Sequence, residues 1–477
     1  MFPTFSKVLT ATLLAGSIGI SAQTPERFTP QDLQEDFRIA REALEEGHSG
    51  IYRYTRKAEL DRRFEGAMKS LDRPMDALEF YRVLTPAVAA VRCGHTSALL
   101  SVQLKTDLEK ALLLPLDVKV LEGRVFILRD FAQGGRLAGR EIRSINGVPI
   151  FNILHTLLDA ASGDGEIPTG RAFAVGRKFK EMLFTVMGMQ GPFALGLGPT
   201  PPANPEKVQA AGQALSALRQ ASEQQFPQDQ RSKRFAALTF EDEGRIARLK
   251  VFNFVDSEED EDGASILKKT FETIQAKGSK TLILDLRNNG GGEDALGKLL
   301  LSYLVEAPFQ YYENLLINRK TFGFSKYAEK EIVVPDRMVQ ARPDGRFNVV
   351  GHPNSGLQQA NQPTFKGRVL VLINGGCFST TSELLTQLHD RHRGTFIGEE
   401  SGGGYYGNTS GSEAVLTLPH SKLRLAIPLM TYTLSVKGIH APDRGVLPDH
   451  PIQPTIEDLL AGRDPEWERA LALARKP

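Results

Sequence analysis

VLVLINGGCFSTTSELLTQLHDRH, residues 369–392, reads as a strand, a sharp turn and a helix. Val369 to Ile373 is a continuous apolar run of the kind a fully buried strand needs. Asn374, Gly375 and Gly376 interrupt it, and Leu384, Leu385 and Leu388 then share one side of a helix. Ser379 falls at the turn. A hydroxyl at that point stands beside helix-terminal N–H groups that have no partner inside the helix. A nucleophile and an oxyanion site can therefore lie within a few ångströms of each other. A plainer reading uses the same residues: Thr380 with Glu383 fits the capping box S/T-x-x-E. The two are compatible, with Thr380 capping while Ser379 reacts.

Working outward, the α/β pattern starts near residue 245. ARLKVFNF is a strand, Ala264 to Ala276 a helix, and TLILDLR a buried strand ended by Asn288-Asn289-Gly290-Gly291-Gly292. EDALGKLLLSYL follows as a helix. Glycines between a strand and a helix let backbone amides approach a ligand closely. The spacing is neither G-x-x-x-x-G-K-[ST] nor G-x-G-x-x-G, which argues against nucleotide binding. Phe309 to Pro363 reads as an elaborated loop region over a cleft. Beyond the central stretch come FIGEESGGGYYGNTSG, a strand pair within Val415–Leu434, RGVLPDHPI and a last helix. Upstream, residues 28–105 read as a small helical domain ending in VRCGHTSALL, where Gly94 breaks a helix and His95 leads into a strand. Residues 112–165 alternate as strands do, with turns at Glu122-Gly123 and Asn146-Gly147. They resemble the second half of a PDZ domain, a module that holds peptides by strand addition. Residues 190–240 read as a Gly/Pro-rich linker followed by a surface helix.

The chain has 477 residues, 41% hydrophobic and 24% charged, with a formal net charge of +1. That length suits about two or three domains. The charge balance implies no polyanionic partner, and the absence of a Lys/Arg-rich block excludes nucleic-acid recognition. Lys7, the apolar run VLTATLLAGSIGI and the exit Ser21-Ala22-Gln23 describe a secretory signal peptide over residues 1–22. The run is shorter than the roughly 20 residues a membrane span needs. A periplasmic or secreted location follows. Two cysteines, Cys93 and Cys377, do not make a disulfide scaffold.

LILDLRNNGGG, VLVLINGGCFSTTSELL, FIGEESGGGYYGNTSG and RGVLPDHPI, in that order and spacing, resemble the S41 serine peptidases, the tail-specific or C-terminal-processing proteases. The likeness covers residues 245–460, chiefly Arg245 to Pro454. It implies an α/β catalytic domain of the ClpP/crotonase-like ββα type, preceded by a small helical domain and a PDZ-like β-rich module. It also implies hydrolysis of peptide bonds in polypeptides, with no cofactor and no metal. One branch of the family uses a Ser–Lys dyad, but the loop Gly398–Tyr406 holds no lysine. The tricorn-like branch uses histidine, and His95 in CGHT matches its position. Ser379, directly after Phe378, is then the nucleophile and His95 the general base. Counting three residues back from Glu383, as the Ser–Lys branch does, gives Thr380 instead. The resemblance places the third catalytic residue, the acid that orients the histidine, before the G-V-x-P-D stretch; Asp443 is the nearest acid, one residue closer than in the tricorn pattern. The Gly291 and Thr380 amides are carried over as the oxyanion hole.

Cys93 and Cys377 each stand two residues before a proposed catalytic residue. They are either drawn together into a disulfide or buried as two small hydrophobic side chains. Two other functional classes compete with the peptidase. One is a non-catalytic peptide- or apolar-ligand-binding protein on the same fold. The other is an esterase, which would want a G-x-S-x-G elbow that Gly376-Cys377-Phe378-Ser379-Thr380 does not spell.

Overall fold

The computed structural model describes residues 26–198, 206–226, 234–256 and 261–476. The expected signal peptide, residues 1–22, lies outside them. The run at Val369–Ile373 is central to a six-stranded sheet. Its order is Ala236–Glu241, Ile246–Val251, Thr281–Asp285, Arg368–Ile373, Thr395–Gly398 and His450–Pro451. The first pair is antiparallel and all later pairs are parallel. Parallel strands read as unbroken apolar runs because both faces are covered. Here Val369, Val371 and Ile373 pack with Leu267, Phe271, Leu300, Leu384 and Leu388 of the helices on one face. Leu370 and Leu372 meet Ala470 and Leu473 of the helix Pro465–Ala474 on the other.

A second sheet runs Val339–Ala341, Phe347–Val349, Tyr312–Ile317, Arg424–Leu434 and Thr409–Thr417. The helices Pro30–Gly47, Lys57–Lys69 and Ala77–Ala89 pack against it. Thr29 caps the first in a reciprocal capping box with Asp32. Leu33, Phe37, Ala40 and Leu44 then share a core with Leu423, Leu425, Ile427 and Leu429 of the sheet. The three helices therefore close no core of their own. Ser97–Leu99 adds antiparallel to Arg424–Leu434, which fixes the segment just before it, the one that carries His95.

The third sheet runs Leu116–Leu121, Arg124–Asp130, Glu141–Ile145, Phe193–Gly198 and Glu206–Ala210. Asn146 and Gly147 both have positive φ, as a two-residue hairpin turn demands. The helices Ile150–Asp159, Pro168–Arg177 and Phe179–Thr185 lie against this sheet. The expected linker at 190–240 is corrected here. Phe193–Gly198 is an interior strand, paired on both sides, and Glu206–Ala210 is the strand beside it. Phe193, Leu195 and Leu197 face the core, with Ala194, Gly196 and Gly198 between them. The strand's period of two was hidden by its glycines. The β-unit expected over 112–165 accordingly continues to Ala210. The surface helix is present as Leu215–Gln225.

Candidate active site

Ser379 ends the six-residue turn that follows the strand Arg368–Ile373, and it is the N-cap of the helix Thr380–Asp390. Its backbone sits at φ 55°, ψ −130°. A non-glycine residue held at positive φ costs on the order of 1–3 kcal/mol and persists only where its surroundings enforce it. The enforcing contacts are specific. The Asn374 side chain accepts from the Gly376 and Asn288 amides and donates to Asn288 Oδ1. Phe378 N–H donates to the Asn289 carbonyl at 3.1 Å. The chain thus makes a nucleophile-elbow turn without the esterase sequence, and Gly291 supplies the room. A Cβ on Gly291 would stand 2.7 Å from Ser379 Cβ and 2.9 Å from Thr380 N.

The capping box expected at this helix is absent. Thr380 is the first helical residue, not the cap, and its hydroxyl donates to the Gly292 carbonyl at 2.7 Å. Glu383 turns away from the helix start and accepts from Tyr312 Oη and Asn408 Nδ2, both at 2.8 Å. Ser379 Oγ is left free of capping duty. It meets His95 Nε2 at 3.1 Å across 284 residues of sequence.

His95 arrives from the opposite side. The helix Ala77–Ala89 stops, Arg92 takes positive φ, and Gly94-His95-Thr96 turns into the strand Ser97–Leu99. The imidazole stacks on Phe378, with ring centroids 4.6 Å apart and planes at 28°. Gly94 must be glycine, because a Cβ there would lie 2.4 Å from the Phe378 ring. Burial pulls the His95 pKa below its ordinary value, opposed by the negative charge of Asp164.

Asp164 is a buried acid beside the His95 turn that the sequence reading did not single out. It is buried, and it accepts from Gly94 N at 2.8 Å and from Gly404 N at 3.1 Å. It therefore ties the histidine turn to the glycine-rich loop after Glu400. It lies in SGDGE, a stretch that reads only as a turn, so composition and spacing carried no signal of it. Among the described residues no hydrogen bond joins Asp443 to His95, and its charge is not among those acting on the imidazole. Its backbone carbonyl accepts from Glu166 N at 2.9 Å, next to an Arg444–Glu400 pair. That pair ties the RGV and GEES stretches together: Arg444 and the Gly445 amide both bond the buried Glu400 carboxylate.

Of the two expected oxyanion donors, the Gly291 N–H is engaged by Asn289 Oδ1 at 2.9 Å. The Thr380 N–H, at the first turn of its helix, has no acceptor among the described residues. Cys93 and Cys377 are both free and buried. Their thiols donate to different carbonyls, Thr409 and Leu286, and burial pushes each up to about 12. The two-buried-thiols reading holds and the disulfide does not.

Residues 245–452 match the model of peptidase family S41. The fold is similar to that of a CPAF point mutant, with TM-score 0.67 and 14% identity over 93% of this chain and 96% of that one. It is likewise similar to mature CPAF complexed with lactacystin, with TM-score 0.62 and 14% identity over 94% and 98% of the two chains. No curated protein matches the sequence. None of the described helices is long and apolar enough to cross a membrane. The domain at residues 245–452, which carries the elbow and its glycine-rich loops, matches peptidase family S41, and that match together with the shared fold indicates a serine-type peptidase.

Proposed function

We propose that the chain is an exported serine endopeptidase acting on polypeptides, with Ser379 as nucleophile and His95 as general base. The observation that carries this is the 3.1 Å contact between Ser379 Oγ and His95 Nε2, made at a strained turn. Burial favours neutral imidazole near pH 7, so Nε2 takes the hydroxyl proton as Oγ attacks the scissile carbonyl. The tetrahedral oxyanion forms beside the Thr380 N–H. A donor of this kind contributes about 3 kcal/mol. The imidazolium then protonates the leaving amine, and water repeats the cycle on the acyl-enzyme. Gly291 acts by lacking a side chain. Asp164, by its charge and its bond to the Gly94 amide, positions His95. Asp443 is read as support for the loop and not as the orienting acid.

Export rests on the leader sequence at residues 1–22. The unit from residue 112 is read as PDZ-like on one further ground. Its edge strand Leu116–Leu121 and the helix Pro168–Arg177 border a cavity of about 550 Å³ that reaches Gly375 in the elbow. An extended peptide fits such a groove by strand addition.

A casein digest and a serine-directed fluorophosphonate, each applied to wild type and Ser379→Ala, test the reading. Cleavage and labelling by the wild type alone are expected. An unlabelled, inactive wild type would instead make the chain a binding protein on a peptidase fold. Activity kept in Ser379→Ala but lost in Thr380→Ala would move the nucleophile by one residue.

A further inference from the structure

His95 uses only one ring nitrogen in the contact with Ser379. The other, Nδ1, is buried without a hydrogen-bond partner among the described residues. Cys93, His95 and Asp164 each bring one ligand-capable atom to a common point, all within 4.8 Å of one another. More unpartnered polar atoms belong to the same region. Tyr54 Oη and Thr96 Oγ1 are both buried and unbonded. The Tyr54 phenol lies near the Asp164 carboxylate and the Cys93 thiol. Buried polar atoms left unpaired in this number are rare, and they call for an occupant. A thiolate, an imidazole and a carboxylate form the donor set of a borderline-soft divalent cation with one coordination position open.

We propose that Cys93, His95 Nδ1 and Asp164 form a binding site for a divalent transition cation of the zinc type, and that its occupation switches the peptidase off. The inference rests on the reading of His95 as general base. Coordination displaces the Cys93 thiol proton to solvent and breaks its bond to the Thr409 carbonyl. It also requires the imidazole proton to move from Nδ1 to Nε2, so that Nδ1 gives its electron pair to the metal and Nε2, now carrying the proton, can no longer accept one from Ser379. The separations suit such a site with small side-chain shifts, since metal–sulfur and metal–nitrogen bonds of about 2.3 and 2.0 Å place ligand atoms a little closer than they now stand. The hard cations magnesium and calcium, which want all-oxygen cages, fit this donor set poorly. The switch therefore discriminates between classes of cation.

Two measurements separate this proposal from the peptidase reading. The first needs no turnover. Ser379→Ala protein, stripped with a chelator, is titrated with cobalt(II). One equivalent is expected to produce the near-ultraviolet charge-transfer absorption of a cobalt–thiolate bond. The Ser379→Ala/Cys93→Ser double variant should lack that absorption. Its absence from the single variant would overturn the proposal, whatever the chain's activity. In the second, zinc should inhibit casein cleavage by the wild type, reversibly on chelation, while magnesium should not. Cys93→Ser should keep the chelator-treated rate and need about 10- to 100-fold more zinc for half inhibition, the range over which even outer-shell ligand partners act. Equal zinc sensitivity in Cys93→Ser would overturn the proposal. A cobalt–thiolate band in a chain that cleaves nothing would leave the cation site standing and remove the peptidase reading.

Discussion

At the scale of single residues, the site divides into groups that motif spacing exposes and groups that only the fold brings in. Ser379 and His95 were legible because each closes a stretch whose wording is specific. Asp164 was not, since its role comes from where Gly94 and Gly404 sit and not from its neighbours in sequence. Asp164→Ala should lower casein cleavage strongly, because two amides lose a buried acceptor at a cost of about 1–3 kcal/mol each and the His95 turn loosens. Asp443→Ala should change cleavage only a few-fold, as Asp164 and not Asp443 is the charge that acts on His95. Side-by-side rates of the two variants decide between the acids, and the reverse ranking would restore Asp443. Glu383 gives a second prediction. Tyr312 Oη lies 2.8 Å from Glu383 Oε2 and 2.9 Å from Asp294 Oδ2, and one hydroxyl proton cannot serve two carboxylates. Burial raises the Glu383 pKa to about 7, so Glu383 is the group that holds the extra proton. The unfolded carboxyl releases its proton near pH 4.5 and the folded one near 7. Between those values unfolding releases a proton, so the contribution of this group to stability falls as pH rises, by about 3 kcal/mol in all. Melting temperature should accordingly fall from pH 5 to pH 8 in the wild type, and by less in Glu383→Gln.

At the scale of elements, the elbow works because loops from different strands meet without side chains in the way. Gly291→Ala would place a methyl 2.7 Å from Ser379 Cβ in a residue whose φ is +98°. The turn must open or the nucleophile must move. Peptidase activity should fall by at least about 100-fold, the scale of a lost oxyanion donor, in a protein whose circular dichroism is unchanged. Gly94→Ala should act by another route. Its methyl displaces the Phe378 ring that stacks on His95, so kcat should drop more than KM rises. The parallel core strands and the strand-and-helix rhythm from residue 245 were plain in the sequence, since runs such as TLILD and VLVLI have few other uses. The capping box was misread because S/T-x-x-E is short enough to occur where the glutamate has a better partner. Glu383 finds one in Tyr312 and Asn408, residues no local window includes. The strand Phe193–Gly198 was missed for the opposite reason: glycine at alternate positions imitates a linker, and sheet pairing overrides the local preference.

At the scale of the whole molecule, the proposed catalytic pair is assembled from distant parts of the chain. His95 is held by a strand pairing with Arg424–Leu434, and that sheet owes its buried face to the N-terminal helices. Core and site are therefore coupled. Leu425→Ala, at a fully buried position in register with Ala98, should cost about 2–5 kcal/mol. It should reduce activity at temperatures where the bulk of the protein is still folded, which thermal inactivation compared with calorimetry would reveal. A loss of activity that tracks global melting alone would disprove the coupling. The separation of 284 positions between His95 and Ser379 also sets a clock. A ribosome adding about 5–20 residues each second delivers the serine roughly 15–60 s after the histidine. During that interval the growing polypeptide holds a base with nothing to activate. Until Ser379 is joined to the chain and folded against His95, that base cannot turn on the polypeptide's own slack, unfolded length, so the order of manufacture itself delays the first cut.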